Sequence, residues 1–193
     1  MVPSTEWKKK NFGEKWYDGE TVSVSIGQGA VWLTPIGLMQ LAAFIGNEGV
    51  TFKPQVVNRI ISPEGKIVKQ FEPAMNANVK MKKEVFAAVK DGMQGVVNEQ
   101  RGTAYTSGRV ATVLMSGKTG TAQTQAMEKG IGKGDHAWFI AYAPSDTPSI
   151  AMGILVEHGG HGGSSSAPIA KAVAEIAFKE QKQIKSVQLN ADR

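Results

Sequence analysis

The chain has 193 residues, of which 41% are hydrophobic and 20% charged, a composition that fits a globular domain and excludes a disordered or fibrous protein. It contains no cysteine, which excludes disulfides and thiolate metal sites, and its net charge is +5. No stretch approaches the ~20 apolar residues of a membrane span, and the first residues lack the apolar segment of a signal peptide. We therefore expect a chain that is soluble where it is made, or one separated from an anchor upstream.

The N-terminal quarter is predicted to hold a loop, a strand and a helix. Residues 1–19 are polar, with aromatic residues among lysines. Such a mixture can stack on nucleic-acid bases, but no OB-like or RRM-like signature follows, so we interpret it as a surface loop and expect no nucleic-acid partner. Residues 20–26 alternate between apolar and hydroxyl side chains, which predicts a short strand. Thr34 and Pro35 suit the start of a helix, which is predicted to be apolar and buried and to end at Gly49.

The middle of the chain predicts a hairpin, a helix and a strand. Residues 52–71 contain two extended segments joined by S-P-E-G at 62–65, where proline and glycine suit a tight turn. Residues 82–98 carry apolar side chains at helical spacing. The apolar run at residues 110–115 predicts a strand that leads into G-K-T-G-T at 117–121.

The last third predicts two strands and a helix. Residues 125–135 are interpreted as a mobile loop, and residues 136–143 and 149–157 as an antiparallel hairpin. The glycines of residues 158–166 predict a flexible loop, and an amphipathic helix is predicted over 168–182. The inward-facing residues of that helix are predicted to be Ile169, Val173, Ile176 and Ala177. The order of elements favours an α+β fold in which an antiparallel sheet is covered by helices.

The segment G-K-T-G-T has the composition of a binding site. Gly117 and Gly120 lack a Cβ and let a ligand approach the backbone closely. Lys118 supplies a positive point charge for an anion, and the hydroxyls of Thr119 and Thr121 can donate hydrogen bonds to it. The sequence therefore predicts an anion site at this segment.

Other kinds of site fit the sequence less well. A phosphate-binding P-loop would need glycine where Thr112 stands, and a dinucleotide-binding G-x-G-x-x-G would need it at Asp135. Glu157, His158 and His161 contain metal-binding groups, but they lie in a glycine-rich loop that does not fix their geometry, and we interpret them as a solvated turn. We expect neither a cofactor nor a metal.

Several motifs together resemble the transpeptidase domain of class B penicillin-binding proteins. They are K-T-G-T-A-Q at 118–123, S-I-G-Q-G at 25–29 with L-T-P at 33–35, and V-E-H-G at 156–159 running into A-P-I-A at 167–170. Residues 3–4 and 16–21 are similar to the penicillin-binding protein 2 branch, which acts in cell elongation. The resemblance covers nearly the whole chain and implies part of a penicillin-binding-protein/β-lactamase-like fold.

The resemblance implies a serine D,D-transpeptidase that cross-links peptidoglycan through an acyl-enzyme. In such an enzyme Lys118 would set the electrostatics of the pocket, and Thr119 and Thr121 would hold the terminal carboxylate of a stem peptide. The N–H of Thr121 would be one of two oxyanion-hole donors, and Gly120 would keep the strand edge open to substrate. The implied partners are peptidoglycan stem peptides, β-lactam antibiotics and a cell-elongation glycosyltransferase, at the periplasmic face of the bacterial inner membrane.

The family's S-x-x-K and S-x-N motifs occur nowhere in the sequence. We therefore expect residues 1–193 to be the C-terminal portion of a transpeptidase domain, inactive alone, with the nucleophile, a pedestal domain and a membrane anchor upstream. Such a fragment would expose apolar faces, so we also expect self-association or marginal stability. An alternative function is a non-catalytic carboxylate-binding or scaffolding module of the cell-elongation machinery.

Overall fold

The computed structural model describes residues 3–123 and 134–191, with the backbone alone for 180–191, so the predicted loop at 125–135 lies almost wholly outside the described residues. The helices are α1 Thr5–Phe12, α2 Asp18–Ser25, α3 Pro35–Gly46, α4 Lys83–Asn98, α5 Tyr105–Gly108, α6 Gly162–Ser165 and α7 Ala167–Ala191. The strands are β1 Val50–Phe52, β2 Arg59–Ile61, β3 Ile67–Gln70, β4 Met75–Asn78, β5 Ser116–Ala122, β6 His136–Ala143 and β7 Ile150–Val156.

The central sheet is antiparallel, with strand order β5-β6-β7. The predicted hairpin of β6 and β7 is confirmed, because Phe139 pairs with Ile154 along a register without a break. β5 pairs with β6 from Ser116, opposite Tyr142, to Ala122, opposite His136. Within the part of the chain that the structure describes, β5 is therefore an edge strand.

Helices cover both faces of this sheet. On one face α3 packs against β6 and β7, so closely that a Cβ added at Gly153 would lie 2.7 Å from Pro35 O. On the other face α4 and α7 pack over a core that includes Phe139, Met152 and Phe178. The predicted α+β architecture, an antiparallel sheet covered by helices, is confirmed. No helix among the described residues has the length and apolar character needed to cross a bilayer.

Helix α3 begins as the sequence predicts. Thr34 Oγ1 accepts a hydrogen bond from Gly37 N at 3.1 Å, and Pro35 occupies the first helical position. The helix ends at Gly46, and Gly49 then donates its N–H to Phe44 O at 2.9 Å with φ of 101°. A Cβ at Gly49 would overlap Val79 O, so glycine is required where the chain turns away from the helix.

The predicted loop at residues 1–19 and the predicted strand at 20–26 are wrong, because this region forms α1 and α2. Local capping outweighs the alternation of apolar residues. Ser4 Oγ accepts from Trp7 N at 3.1 Å, and Glu20 Oε2 accepts from Tyr17 N at 2.8 Å. Val22 is 67% exposed, so the alternating face has no sheet to cover.

A buried lysine joins the two N-terminal helices. Lys8 Nζ lies 2.7 Å from Glu20 Oε2 and 3.4 Å from Glu14 Oε2, and its side chain is only 10% exposed. The hydrogen bond from Lys8 lowers the pKa of Glu20 below its usual value, and the same hydrogen bond raises the pKa of Lys8. Both charged forms are thus favoured by folding.

We expect the ion pair to make stability depend on pH at both extremes. The Glu20 contribution is fully present above the usual glutamate pKa and is lost as the pH falls through the lowered value. The Lys8 contribution is fully present below the usual lysine pKa and is lost as the pH rises through the raised value. In thermal melts, the melting temperature of wild type should be higher than that of Glu20→Gln at neutral pH. In acid the two melting temperatures should be equal. Glu14→Gln, at the longer contact, is the control and should differ less from wild type.

The hairpin predicted over 52–71 is confirmed over 59–70, where β2 pairs with β3 in antiparallel order and Arg59 is opposite Gln70, whereas Phe52 belongs to β1. Its turn is closed by the hydrogen bond from Gly65 N to Ser62 O at 3.0 Å. The pairing of β1 with β4 was not predicted, because M-N-A-N in β4 lacks the β-branched and aromatic residues that mark a strand. The helix predicted over 82–98 is confirmed as α4.

The strand predicted at residues 110–115 is wrong, because β5 begins only at Ser116. Val110 and Met115 are buried and Val113 packs against the core, but Leu114 is 54% exposed, so the run does not present the regular alternation of a strand. Main-chain groups of this run are satisfied from elsewhere. Asn98 Nδ2 donates to Met115 O at 2.9 Å, and Ser145 N donates to Leu114 O at 2.8 Å.

Three predictions near the C-terminus are also wrong. The loop predicted at 158–166 contains the short helix α6, and the last helix continues to Ala191. The inward face of α7 consists of Ala170, Ala174 and Phe178, whereas three of the four residues predicted to face inward are 43–61% exposed. Small alanine side chains let α7 approach the sheet closely, and this places the larger Ile169, Val173 and Ile176 outside.

Candidate active site on the edge strand

The predicted site residues Lys118, Thr119, Gly120 and Thr121 all lie on β5, at the edge of the sheet. They are opposite Ile140, Phe139, Trp138 and Ala137 of β6. Because successive side chains of a strand point to opposite faces, Lys118 projects toward the face covered by α3, and both threonines project toward the other face.

The open edge of β5 displays main-chain groups of the two threonines. Thr121 O accepts a hydrogen bond from Gln28 Nε2 at 3.0 Å, and Thr119 O accepts one from Lys118 Nζ at 2.7 Å. These carbonyls therefore point away from β6. In an antiparallel strand the N–H and C=O of one residue point to the same side, so the N–H groups of Thr119 and Thr121 also face the open edge. Such a row of donors and acceptors can pair with an extended ligand.

Lys118 provides the positive charge beside this edge. Its side chain is exposed, and the salt bridges within residues 3–123 and 134–179 involve other lysines. Its ammonium instead donates to Thr119 O at 2.7 Å, which holds the charge over the main chain of the strand. An anionic group at the edge would meet this ammonium together with backbone N–H donors.

The hydroxyl of Thr119 contacts a residue that the sequence did not indicate. Thr103 Oγ1, in the loop after α4, lies 2.9 Å from Thr119 Oγ1. This loop folds tightly against the helix end, because a Cβ at Gly102 would overlap Val96 O. Each hydroxyl has one donor and two acceptor positions, so the pair can still contact a ligand. In the sequence, only the glycine before Thr103 indicates a tight turn here, and a turn does not reveal that Thr103 contacts Thr119.

Helix α6 lies against the middle of β5. A Cβ at Gly162 would overlap Trp138 O and lie 2.6 Å from Gly120 O. Ser166 Oγ, at the end of α6, donates to Ala137 O at 2.9 Å. Glycine is therefore required at position 162 for α6 to seat on the strand that carries the candidate site.

Gln28 is the second residue near the site that the sequence did not indicate. It lies between Gly27 and Gly29, whose φ angles of 77° and 70° are in the left-handed region. Its side chain reaches Thr121 O across 93 residues of sequence. The G-Q-G pattern marks a turn, but a turn does not reveal what its side chain will contact.

Two of the three histidines, His136 and His158, link segments of the chain. His136 Nδ1 accepts a hydrogen bond from His158 N at 3.0 Å, and His158 Nδ1 lies 2.9 Å from Gly134 O. These contacts tie the start of β6 to the turn after β7. Within the described part of the chain there is no cluster of three or more histidine or acidic residues able to hold a metal ion.

Comparison with known proteins identifies the family. A model of the penicillin-binding protein transpeptidase domain matches residues 3–175. The chain is 34% identical over 191 residues to the peptidoglycan D,D-transpeptidase MrdA of Haemophilus influenzae. That alignment covers 93% of this chain but 29% of the relative, so the chain spans less than a third of the relative's length.

Solved structures show the same likeness. Penicillin-binding protein PBP2 of Pseudomonas aeruginosa, in complex with WCK 5153, is 36% identical with a TM-score of 0.73, over 90% of this chain and 35% of that one. PBP2 of Helicobacter pylori, in complex with MreC, is 31% identical with a TM-score of 0.70, over 92% and 31%. The imipenem acyl-enzyme of Mycobacterium tuberculosis penicillin-binding protein A is 32% identical with a TM-score of 0.65, over 81% and 33%. The chain belongs to the penicillin-binding protein transpeptidase domain family, among relatives named MrdA and PBP2.

Proposed function

We propose that this chain forms the substrate-binding wall of a peptidoglycan D,D-transpeptidase. The observation that carries the proposal is the open edge of β5, where the Lys118 ammonium lies beside Thr119 O and the main-chain groups of Thr119 and Thr121 point away from β6. An extended peptide that ends in a carboxylate fits this display, because the edge offers strand pairing and a positive charge together. The imipenem acyl-enzyme formed by a related protein supports covalent chemistry at such a site.

In the proposed reaction a serine from outside residues 1–193 gives its hydroxyl proton to a base in the same part of the domain and attacks the carbonyl carbon of the penultimate D-alanine of a stem peptide. The tetrahedral intermediate carries its negative charge on the former carbonyl oxygen, and Thr121 N–H donates to that oxygen. The C–N bond then breaks, the departing D-alanine amine takes the proton back from that base, and the serine is left acylated. An amine of a neighbouring stem peptide then attacks the ester carbonyl, the acyl C–O bond breaks, and a proton passes from the amine to the serine oxygen, which leaves the amide cross-link and the free serine.

The side chains of the edge strand have distinct parts in this scheme. Lys118 attracts the substrate's terminal carboxylate and stabilises negative charge near the reacting carbonyl. Thr119 and Thr121 hydrogen-bond the carboxylate, and Gly120 leaves the edge clear of a side chain between them. The serine, its lysine and the second oxyanion donor come from the rest of the domain, since S-x-x-K is absent from this sequence.

The proposal extends to location and partners. The full-length protein would act at the periplasmic face of the inner membrane, on stem peptides, and would be acylated by β-lactams. A cell-elongation glycosyltransferase would supply the glycan strands that it cross-links. The same edge could instead serve a non-catalytic carboxylate-binding module, which would bind the peptide but leave it intact.

Release of D-alanine distinguishes these functions. The full-length protein, incubated with pentapeptide stems and an acceptor amine, is expected to release D-alanine and form cross-linked product. Pretreatment with penicillin should abolish both, because the acylated serine cannot turn over. Saturable binding of the pentapeptide without any release of D-alanine would contradict the transpeptidase and support the binding module.

A further inference from the structure

We propose that Gln28 is a positioning residue for the oxyanion-hole strand. The inference rests on the proposed function and adds a residue far from the K-T-G-T segment in sequence. The side-chain amide of Gln28 donates to Thr121 O at 3.0 Å, and Thr121 is the residue whose N–H would bind the reacting oxygen.

Gln28 projects from a fixed point of the backbone. Its own N–H donates to Ser23 O at 2.9 Å, and Gly27 N donates to Val24 O at 3.0 Å, so the turn is attached to the end of α2. The left-handed φ angles of Gly27 and Gly29 reverse the chain on either side. The side chain is half-buried, which limits its alternative rotamers. These features make Gln28 a rigid donor.

Thr121 needs such a contact because of its place in the sheet. Its carbonyl and N–H point away from β6, so the ladder between the strands does not restrain either group directly. It is also one residue from the end of β5, where an edge strand is least restrained. A hydrogen bond to the carbonyl fixes the orientation of this residue, and hence the direction of its N–H. A preorganised donor stabilises an oxyanion better than one that must be ordered during the reaction.

The test compares two glutamine variants in the full transpeptidase domain that contains this chain. Gln28→Met keeps the length of the side chain and removes the donor. Gln40→Met is the matched control, because Gln40 Nε2 donates to Phe52 O at 2.9 Å, the same kind of bond away from β5. Saturation kinetics with a fluorescent penicillin separate the binding constant from the acylation rate constant, and thermal melts report stability.

We expect Gln28→Met to lower the acylation rate constant about 3- to 10-fold, the effect of one hydrogen bond, with the binding constant unchanged. Gln40→Met should acylate like wild type, and the two variants should melt alike. Gln28→Glu replaces the donor by an acceptor, so its acylation rate constant should fall at least as much as that of Gln28→Met. It is the alternative test variant if the methionine variant does not fold.

The outcomes separate this inference from the proposed function. If wild type is acylated and both Gln28 variants are acylated at the same rate, Gln28 does not position the strand and the proposed function stands. If Gln28→Met loses stability and its binding and acylation constants change together, its role is structural and the inference is wrong. If wild type itself is not acylated, the proposed function fails.

Discussion

Replacing Lys118 with methionine is expected to lower the rate of acylation by a penicillin about 100- to 1000-fold, the size of effect seen when one electrostatic stabiliser is removed from an acyl-transfer site. Methionine keeps most of the volume and removes the charge that lies 2.7 Å from Thr119 O, at the open edge of β5. Stopped-flow labelling of the full domain with a fluorescent penicillin measures the rate.

Lys90→Met is the control for this experiment. Lys90 forms a surface ion pair with Glu48 at 3.1 Å, away from β5, so its loss should leave the labelling rate unchanged. Labelling of Lys118→Met at the wild-type rate would contradict the role proposed for this lysine, and equal losses in both variants would indicate a general effect of charge.

The largest effect on stability is expected from Gly162→Ala. The added methyl group would overlap Trp138 O and approach Gly120 O to 2.6 Å, and neither main-chain oxygen can move without disturbing the pairing of β5 with β6. Forced overpacking of this kind costs about 3 kcal/mol. The free energy of unfolding from urea titration measures this cost. We also expect a lower acylation rate, because α6 lies against β5.

Gly92→Ala provides the opposite expectation within the same chain. Gly92 lies inside α4, and a Cβ there would meet no atom within 4 Å. Alanine in a helix interior stabilises relative to glycine by about 0.8–1.0 kcal/mol. If Gly162→Ala were as stable as Gly92→Ala, α6 would not be seated on β5 as described.

The parts of the fold predicted correctly are those that local signals specify. Thr34 and Pro35 begin α3 because capping depends on a few neighbouring residues, and S-P-E-G makes the turn between β2 and β3 for the same reason. Helix α4 follows from the spacing of its apolar residues alone. The hairpin of β6 and β7 follows from two apolar segments joined by a short polar turn.

The incorrect predictions share a physical cause, which is that the outcome depended on packing. The valines of α2 alternate like a strand but have no sheet to cover, so local capping determines a helix. The prediction places the isoleucines of α7 inward because they are its most apolar residues. In the structure the smaller Ala170 and Ala174 are buried instead. Size complementarity between surfaces is not visible in one sequence.

In the candidate site, too, the sequence indicates the residues that are adjacent in the chain but not the contacts that depend on the fold. Lys118, Thr119, Gly120 and Thr121 are contiguous, and both their chemistry and their resemblance to a known motif could be read from the sequence. Gln28 lies within the S-I-G-Q-G motif, but the sequence does not reveal its contact with Thr121, which is 93 residues away. Such long-range contacts are known only when the fold brings two segments together.

Mapping the acylated residue shows whether the nucleophile of the site lies outside this chain. The full-length protein is labelled with a penicillin and digested, and the adduct is located by mass spectrometry. We predict a single adduct on the serine of an S-x-x-K motif outside residues 1–193, formed at a rate that depends on Lys118. An adduct on any serine within this chain would contradict the claim that the K-T-G-T strand forms one wall of a site whose nucleophile lies elsewhere.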